Sequence, residues 1–343
     1  MVQLPNQIKR WIPTGLSIVL FITLIISGIL LFQSYNQSGY HLNWTKLNYS
    51  AAGLALLALL VSWFIEALRV LLIAHALGEK ISLKQIININ LAATFIGNIT
   101  PFYSGGVPTQ IFLLCQAGIK PGKSSAIVTM RVVLSTLLFT LFAPILLWFY
   151  RTNFPDGILH QVTTVAIPIS IVISAFLILF VINPKLSKVL IAYPLKRLEK
   201  TRFYLKIEPQ INKFLAEIEL FHDSVQQFRK GYSFFLVVAA TLAYWICNFA
   251  IAPFLIYAFN IKATGIFIKS VLIQFVLVFI ISYLPVPGGA GLFELGFFTL
   301  FNFVPMQIRA LFIFCLRLLN YNLITFVGGI ILLRIVNRPA PQS

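Results

Sequence analysis

The sequence predicts an all-α, polytopic membrane protein with six full spans and two broken, re-entrant helical hairpins in an inverted-topology repeat. Hydrophobic residues make up 59% of the 343 residues and charged residues 10%, against about 25% charged in soluble domains. Six apolar segments approach or exceed the roughly 20 residues that a spanning helix needs, and two more are interrupted by Pro and Gly. This composition predicts one integral membrane domain over residues 1–343.

The six predicted spans are long apolar segments. They cover residues 15–32, 51–77, 124–150, 162–182, 232–259 and 308–333. The first follows Lys9 and Arg10, as the apolar part of a signal peptide would, but no small-residue cleavage site comes after it. We therefore interpret it as a retained helix.

Positive charge is concentrated between the fourth and fifth spans. Ten of the 26 Lys and Arg residues lie in 185–230. Because cytoplasmic loops carry an excess of Lys and Arg, this distribution predicts a multi-pass protein of the cell (inner or plasma) membrane with cytoplasmic N- and C-termini. The net charge of +17 is then an orientation signal, and no nucleic-acid partner is predicted.

The basic segment also has a helical pattern. Apolar residues recur at helical spacing through 207–228, so the connector 183–231 is predicted to lie on the inner leaflet as an amphipathic helix. A solvated connector is the alternative.

Two interrupted apolar segments, 86–118 and 265–306, predict the repeat. The first contains TPFYSGGVP and the second LPVPGGAG, both Pro-rich breaks around a Gly-Gly pair. With the predicted topology, each segment begins and ends on one side of the membrane, and the two enter from opposite sides. Such a pair, in repeat halves 12–150 and 232–334, indicates an inverted-repeat transporter with its site at the repeat interface. The alternative is that Pro and Gly only kink ordinary spanning helices.

The breaks themselves are candidate site elements. Broken backbone at membrane depth is tolerated only where it is buried in protein or lines a cavity, and the helix that follows points its positive N-terminal end inward. An anionic group such as a lipid phosphate fits there. The predicted substrate-binding residues in the breaks are Gly105, Gly106, Pro108, Pro285, Pro287, Gly288, Gly289 and Gly291.

Five charged residues lie well inside the apolar segments, away from the segment ends: Glu66, Arg69, Arg131, Glu294 and Arg317. Each costs about 2.5 to 3.5 kcal/mol at a helix centre on the insertion scale, so each needs a partner or a ligand. Three cations against two anions leave room for an anionic ligand.

Their predicted roles follow from position. Arg69, Arg131, Glu294 and Arg317 are predicted to bind substrate, with Arg131 and Arg317 holding a phosphate and Glu294 neutralising an Arg in the empty site. Three alternatives stay open. Glu66 and Arg69 are three residues apart and can form a purely structural pair, Arg131 can snorkel to the headgroups, and Glu294 can be a helix cap.

No catalytic arrangement is evident. The four His residues and three Cys residues are scattered, and no Walker A, HExxH or GxSxG motif occurs. We predict no catalytic residue, no metal site and no cofactor.

The two breaks, together with Lys123 to Ala126, Arg131, Glu294 and the stretch Arg317 to Tyr321, resemble the lysylphosphatidylglycerol synthase transmembrane (flippase-like) family. The resemblance covers residues 11–334. It implies an inner-membrane protein that moves a lipid with a charged headgroup between leaflets, or the membrane half of an aminoacyl-phospholipid or polyprenyl-glycan pathway. It also implies that Arg69, Arg131, Glu294 and Arg317 occupy positions that the family usually keeps charged.

The chain departs from the family pattern at three points. Val107 and Met130 stand where many members have acidic residues, which weakens any proton-coupled role for carboxylates in the first half. The bifunctional members also have a soluble aminoacyl-transferase domain after the membrane region, which residues 1–343 do not contain, so we expect that this chain is not a synthase on its own.

Three functions are therefore compared. The main hypothesis is a flippase or lipid transporter whose partner is a membrane lipid, either an anionic phospholipid or a polyprenyl-phosphate lipid. The second is a membrane-embedded transferase acting on lipid-linked sugars or amino acids. The third is a non-transporting accessory subunit, and a homo-oligomer or a partner transferase is compatible with the sequence.

Overall fold

The computed structural model describes residues 47–150, 167–183, 202–261, 264–281 and 291–337, with single positions outside these ranges. Every regular element within this part of the chain is helical, which confirms the all-α prediction.

Four helical runs of the described chain are long and apolar enough to cross a membrane. They are α1 (Tyr49–Ala76), the 22 residues Pro121–Phe142 of α4 (Pro121–Tyr150), α7 (Ser233–Ala258) and the 31-residue run Met306–Val336. At a rise of 1.5 Å per residue, a 26-residue helix is about 39 Å long, which exceeds the hydrocarbon core of roughly 30 Å. The last run consists of α10 (Met306–Arg317), a π-helical segment (Leu318–Leu323) and α11 (Ile324–Val336).

Two of the six predicted spans are not among these four helical runs. The predicted span 162–182 corresponds to α5 (Ile167–Ile182), whose 16 residues reach about 24 Å at 1.5 Å per residue. The predicted span 15–32 lies outside the described residues, apart from single positions.

The first interrupted segment forms two short helices separated by a sharp break. α2 (Leu83–Ile99) begins with a capping box between Ser82 and Gln85, and α3 (Gly106–Gln116) runs back against it. Gln110 of α3 donates a hydrogen bond to the Asn90 side chain of α2, with a length of 2.8 Å. With 17 and 11 residues, the two helices are shorter than the roughly 20 residues of a spanning helix.

The break between α2 and α3 is fixed by its own backbone and by Thr100. A 3₁₀ turn covers Pro101–Tyr103, and Phe102 and Tyr103 have φ values of 55° and 57°. The Thr100 hydroxyl accepts a hydrogen bond from the Gly105 amide at 2.9 Å and donates one to the Ile96 carbonyl at 2.9 Å. Because the side chain satisfies backbone groups that the break exposes, the break is compatible with an apolar surrounding.

The second interrupted segment also contains two short helices in contact. They are α8 (Ile266–Ile281) and α9 (Leu292–Leu300). α9 begins after Gly291, whose φ of 82° favours glycine. The predicted site residues Pro285, Pro287 and Gly288 lie outside the described residues.

The helices of the two halves pack across each other. α1 lies along α7, and α2 lies along α11. In the second contact a Cβ atom at Gly328 of α11 would lie 2.2 Å from the Leu91 carbonyl oxygen of α2. Glycine therefore permits this close approach, as small residues commonly do between membrane helices.

The connector contains α6 (Arg202–Lys230), which docks on the protein. Its apolar side chains Phe221, Val225 and Phe228 are buried in a hydrophobic core shared with α1, α2 and α4. The apolar face of these turns is therefore covered by protein, whereas the sequence predicted contact with the inner leaflet.

Two side chains of α6 also cap spanning helices. The Glu217 carboxylate accepts a hydrogen bond from the Gly122 amide in the first turn of α4, at 2.6 Å. Gln227 donates to the Ala76 carbonyl at the end of α1, at 2.9 Å. The connector thus holds the ends of the two helices that carry Glu66, Arg69 and Arg131.

Candidate functional site

The five ionisable residues predicted within the membrane form two separate groups. Glu66, Arg69 and Arg131 make the first ion cluster, between α1 and α4. Glu294 and Arg317 make the second ion cluster, between α9 and α10.

In the first ion cluster one carboxylate lies between two guanidinium groups. Glu66 accepts a hydrogen bond from Arg69 Nη1 at 2.6 Å through Oε2 and one from Arg131 Nη1 at 2.5 Å through Oε1. The pairing of Glu66 with Arg69 follows from their spacing of three residues on α1. Arg131 joins them from a position 65 residues away, which only the helix packing provides.

Arg69 is fixed on several sides. Its Nη2 donates to the Ser135 hydroxyl at 2.9 Å and to the Arg131 carbonyl oxygen at 3.2 Å. Its guanidinium carbon also lies 5.3 Å from the centre of the Tyr244 ring, within the range of a cation–π contact. The side chain is 1% exposed, so Arg69 is a rigid part of the cluster.

Arg131 is held less completely. Within the described chain its side chain makes one hydrogen bond, to Glu66, and its buried Nε has no hydrogen-bond partner. The side chain is 18% exposed. Because its guanidinium reaches Glu66, Arg131 is an ion-pair partner within the helix bundle.

An aromatic ring from the first break lies near this cluster. Tyr103 is within electrostatic range of both Arg131 and Glu66. The ring sits between two glycines, since a Cβ atom at Gly97 or Gly106 would lie 2.3 or 2.4 Å from it. Gly106, predicted as a site residue, therefore makes room for Tyr103.

The other two predicted site residues of the first break are Gly105 and Pro108. Gly105 is capped by Thr100, and a Cβ atom there would lie 2.7 Å from the Ile96 side chain. Pro108 is an exposed residue in the first turn of α3.

The second ion cluster is a closed pair. Arg317 Nε donates to Glu294 Oε1 at 2.8 Å, and Glu294 Oε2 accepts a hydrogen bond from the Gly291 amide at 2.7 Å. The two side chains are 4% and 1% exposed. Glu294 is therefore both a cap at the start of α9 and the partner of an Arg, so the two sequence interpretations apply together.

Aromatic rings complete the surroundings of Arg317. Its guanidinium carbon lies 4.2 Å from the centre of the Tyr321 ring and 5.1 Å from that of Phe293. Gly289, another predicted site residue, has a φ of 65°, and a Cβ atom there would lie 2.5 Å from the Phe293 ring.

A polar network connects the second ion cluster to the first break. Tyr321, in the π-helical segment, donates through its hydroxyl to the Asn98 carbonyl at 3.0 Å. The Asn98 side chain donates to the Thr325 hydroxyl at 2.7 Å. π-Helical turns frequently occur at functional sites, and this one brings α11 to the end of α2, where the first break starts.

The sequence reasoning and the structure differ on one arrangement. The sequence predicted that Arg131 and Arg317 share a ligand, whereas the structure pairs each with its own carboxylate. Sequence reasoning also missed Tyr103, Ser135, Tyr244, Asn98 and Tyr321. The polar residues in Leu318–Leu323, LLNYNL, were a signal for the last of these, but a Tyr in an apolar segment carries little information.

The bundle of apolar helices with ionised groups between them defines a multi-pass membrane protein. The chain matches the family described as lysylphosphatidylglycerol synthase TM region over residues 12–328, and it belongs to that family. The resemblance read from the two breaks is thereby confirmed. A UPF0104 membrane protein from Archaeoglobus fulgidus is 27% identical over 307 residues, which cover 86% of this chain and 90% of that protein. No solved structure matches the chain.

Proposed function

We propose that the protein moves a lipid with an anionic or phosphate-containing headgroup between the leaflets of the cell membrane. The observation that carries the proposal is the first ion cluster, an intramembrane group with more cations than anions, close to a helix break. The family name refers to lysylphosphatidylglycerol, whose headgroup combines a phosphodiester with a cationic lysyl group; the support that we take from it is the phosphodiester alone. A guanidinium is well suited to bind such a phosphate.

We propose further that the two halves are inverted repeats. Each half contributes a long helix (α1 or α7), a pair of short helices (α2 with α3, or α8 with α9) and a second long helix. The intramembrane Arg of that second long helix follows a proline at a similar distance, since Arg131 is ten residues after Pro121 and Arg317 is twelve after Pro305. The contact of α1 with α7 is what a two-fold axis between the halves would produce.

In this mechanism the short helices are re-entrant and the headgroup passes between the halves. The phosphate enters the polar region beside the first break, while the acyl chains stay in the bilayer, because only the headgroup is costly to place in hydrocarbon. Rocking of one half against the other would expose the site to each leaflet in turn. The basic connector and both termini face the cytoplasm in this arrangement.

Transport accounts for the carboxylates better than group transfer does. A membrane-embedded transferase needs an acid, base or nucleophile that can reach the substrate. Glu66 is engaged by two guanidinium groups, and Glu294 by Arg317 and the Gly291 amide. We therefore propose that the protein is a transporter and not an enzyme.

Leaflet exchange in proteoliposomes tests the proposal. Liposomes with the purified protein would carry tail-labelled fluorescent phosphatidylglycerol, and a membrane-impermeant reductant would bleach the label that reaches the outer leaflet. We expect bleaching beyond the outer-leaflet fraction seen in protein-free liposomes. Bleaching equal to that of protein-free liposomes, with both phosphatidylglycerol and a labelled polyprenyl phosphate, would contradict the proposal.

A matched pair of variants links exchange to the site. Arg131→Gln removes a cation of the first ion cluster, and Arg334→Gln makes the same change at an exposed residue near the end of α11. We expect slower lipid exchange for Arg131→Gln and unchanged exchange for Arg334→Gln. The two variants would be compared at the same amount of reconstituted protein and the same elution volume on a size-exclusion column.

A further inference from the structure

We infer that the first ion cluster is a binding site for one phosphodiester group with a single negative charge, and that the second ion cluster is a structural pair without a ligand. The inference deepens the proposed function and rests on it for the claim that the ligand is a lipid. It identifies the ligand by its charge. It also assigns different roles to Arg131 and Arg317, which were both predicted from the sequence to hold a phosphate.

The first ion cluster has an uncompensated positive charge. Arg69 and Arg131 contribute two positive charges and Glu66 one negative charge, so the cluster has a net charge of +1. An uncompensated charge between membrane helices is unfavourable. One monoanion restores neutrality, whereas a dianion leaves an excess negative charge and a zwitterionic lipid brings a further cation.

The two guanidinium groups of the first ion cluster have more hydrogen-bond donors than the described residues use. The Nε atoms of Arg69 and Arg131 are buried and have no partner within the described chain. Glu66 and Arg131 keep side-chain exposures of 14% and 18%, so the described residues do not cover this part of the cluster completely. A guanidinium presents its donors in a plane that matches two phosphate oxygens, and Arg131 has donors left for this contact.

Within the part of the chain that the structure describes, the second ion cluster has neither a net charge nor a buried side-chain donor without a partner. Arg317 and Glu294 cancel to zero charge, and both carboxylate oxygens of Glu294 are already used. Two aromatic rings lie within 5.1 Å of the Arg317 guanidinium carbon. A ligand would have to displace these contacts, and it would add charge to a pair that is already neutral.

Direct binding to the protein in detergent tests the inference without requiring transport. The probes are dioctanoyl phosphatidylglycerol, dioctanoyl phosphatidate, dioctanoyl phosphatidylcholine and inorganic phosphate, titrated at equal detergent concentration. The first is a phosphodiester monoanion, the second a monoester with about −1.5 to −2 charges at pH 7, and the third a zwitterion. We expect phosphatidylglycerol to bind at least about tenfold more tightly than each of the others.

Inorganic phosphate separates two sources of the same chemistry. Affinity for phosphate equal to that for phosphatidylglycerol would indicate a free-anion site and overturn the assignment to a lipid headgroup. Equal affinity for all three lipids would overturn the charge argument.

Two variants that change the charge of the first ion cluster should have opposite effects on the affinity for phosphatidylglycerol. Arg131→Gln should weaken phosphatidylglycerol binding by about tenfold or more. Glu66→Gln should strengthen it by about threefold or more, because the competing carboxylate is removed and the cluster charge rises. A merely structural Glu66 would produce no gain, so unchanged or weaker binding by Glu66→Gln would overturn the inference.

The second ion cluster supplies the contrasting variant. Arg317→Gln should lower the midpoint of thermal unfolding while the dissociation constant of folded protein changes by less than about threefold. Loss of binding in folded Arg317→Gln would overturn the separation of the two clusters. If Arg131→Gln does not fold, Arg131→Lys replaces it and should still weaken binding, because Lys lacks the planar donor pair.

The binding and exchange experiments fail independently. Selective binding without exchange would overturn the proposed transport and leave the anion site. Exchange that is insensitive to Arg131 and Glu66, with no selective binding, would overturn the anion site and leave the proposed transport.

Discussion

The two ion clusters use the same side-chain chemistry but differ in charge balance and in closure. In the second, one Glu and one Arg neutralise each other, are almost fully buried and are covered by aromatic rings. In the first, one Glu pairs with two Arg residues, and buried donor atoms have no partner among the described residues. If the inference above is correct, an intramembrane Arg indicates a ligand only where a protein carboxylate does not already balance its charge. Four predictions test this difference and the contacts that connect the two regions.

The largest effect is expected from Glu294→Gln. This change removes the carboxylate that pairs with Arg317 in a buried position, and breaking a buried ion pair by removing one partner typically costs about 3–5 kcal/mol. We expect a correspondingly lower free energy of unfolding in detergent, followed by chemical denaturation. The double variant Glu294→Gln, Arg317→Met should recover part of the loss, and a loss below about 1 kcal/mol in the single variant would show that the pair is not closed.

The contact between α2 and α11 should be the next most sensitive. Gly328→Ala places a Cβ atom against the Leu91 backbone, and such overpacking typically costs about 1–3 kcal/mol. Thermal unfolding would measure the loss. Gly53→Ala is the control, because no described residue lies within 4 Å of a Cβ atom at that position of α1; it should be neutral or slightly stabilising. Equal effects of the two changes would contradict the close approach.

The connector should contribute through its cap on α4. Glu217→Gln replaces the carboxylate that accepts from the Gly122 amide, and loss of a helix cap costs about 0.5–2 kcal/mol. Asp223→Asn removes an acid from an exposed position of the same helix and should change stability by less than about 0.5 kcal/mol. If Asp223→Asn destabilises the protein as much as Glu217→Gln, general charge and not the cap is responsible.

The smallest effect is expected from Tyr321→Phe. It removes the hydroxyl that donates to the Asn98 carbonyl near the end of α2, where helix carbonyls lack intrahelical partners. A single hydrogen bond of this kind contributes about 0.5–1.5 kcal/mol. Tyr232→Phe is the matched control, since Tyr232 is 76% exposed. A loss confined to Tyr321→Phe in thermal unfolding would confirm the connection, and no difference would remove it.

Much of the fold could be predicted because it depends on properties that are local in sequence. A spanning helix is recognised by length and apolarity, which is why α1, α4, α7 and the run Met306–Val336 were found. The first break was found because Pro and Gly disrupt helices wherever they occur. The Glu66–Arg69 pair follows from a spacing of three residues.

The candidate site was predicted in composition but not in arrangement. The sequence showed three cations and two anions well inside the apolar segments, and therefore an excess positive charge there. It could not show which cation is in excess, because the contacts of Arg131 with Glu66 and of Tyr321 with Asn98 span 65 and 223 residues. Such contacts depend on the relative rotation of packed helices, to which a helical pattern is insensitive.

The sequence by itself determined that this protein lies in a membrane, where its long helices run, where the first helix pair is broken, and that its intramembrane charges do not cancel. Those properties are set by transfer of side chains and backbone into hydrocarbon, which each segment undergoes with little help from others. Only the tertiary structure decided that Arg317 is neutralised by Glu294 while Arg131 shares Glu66 with Arg69. Ion pairing inside a membrane is decided by distances of a few ångströms between separate helices, and these exist only once the helices have packed.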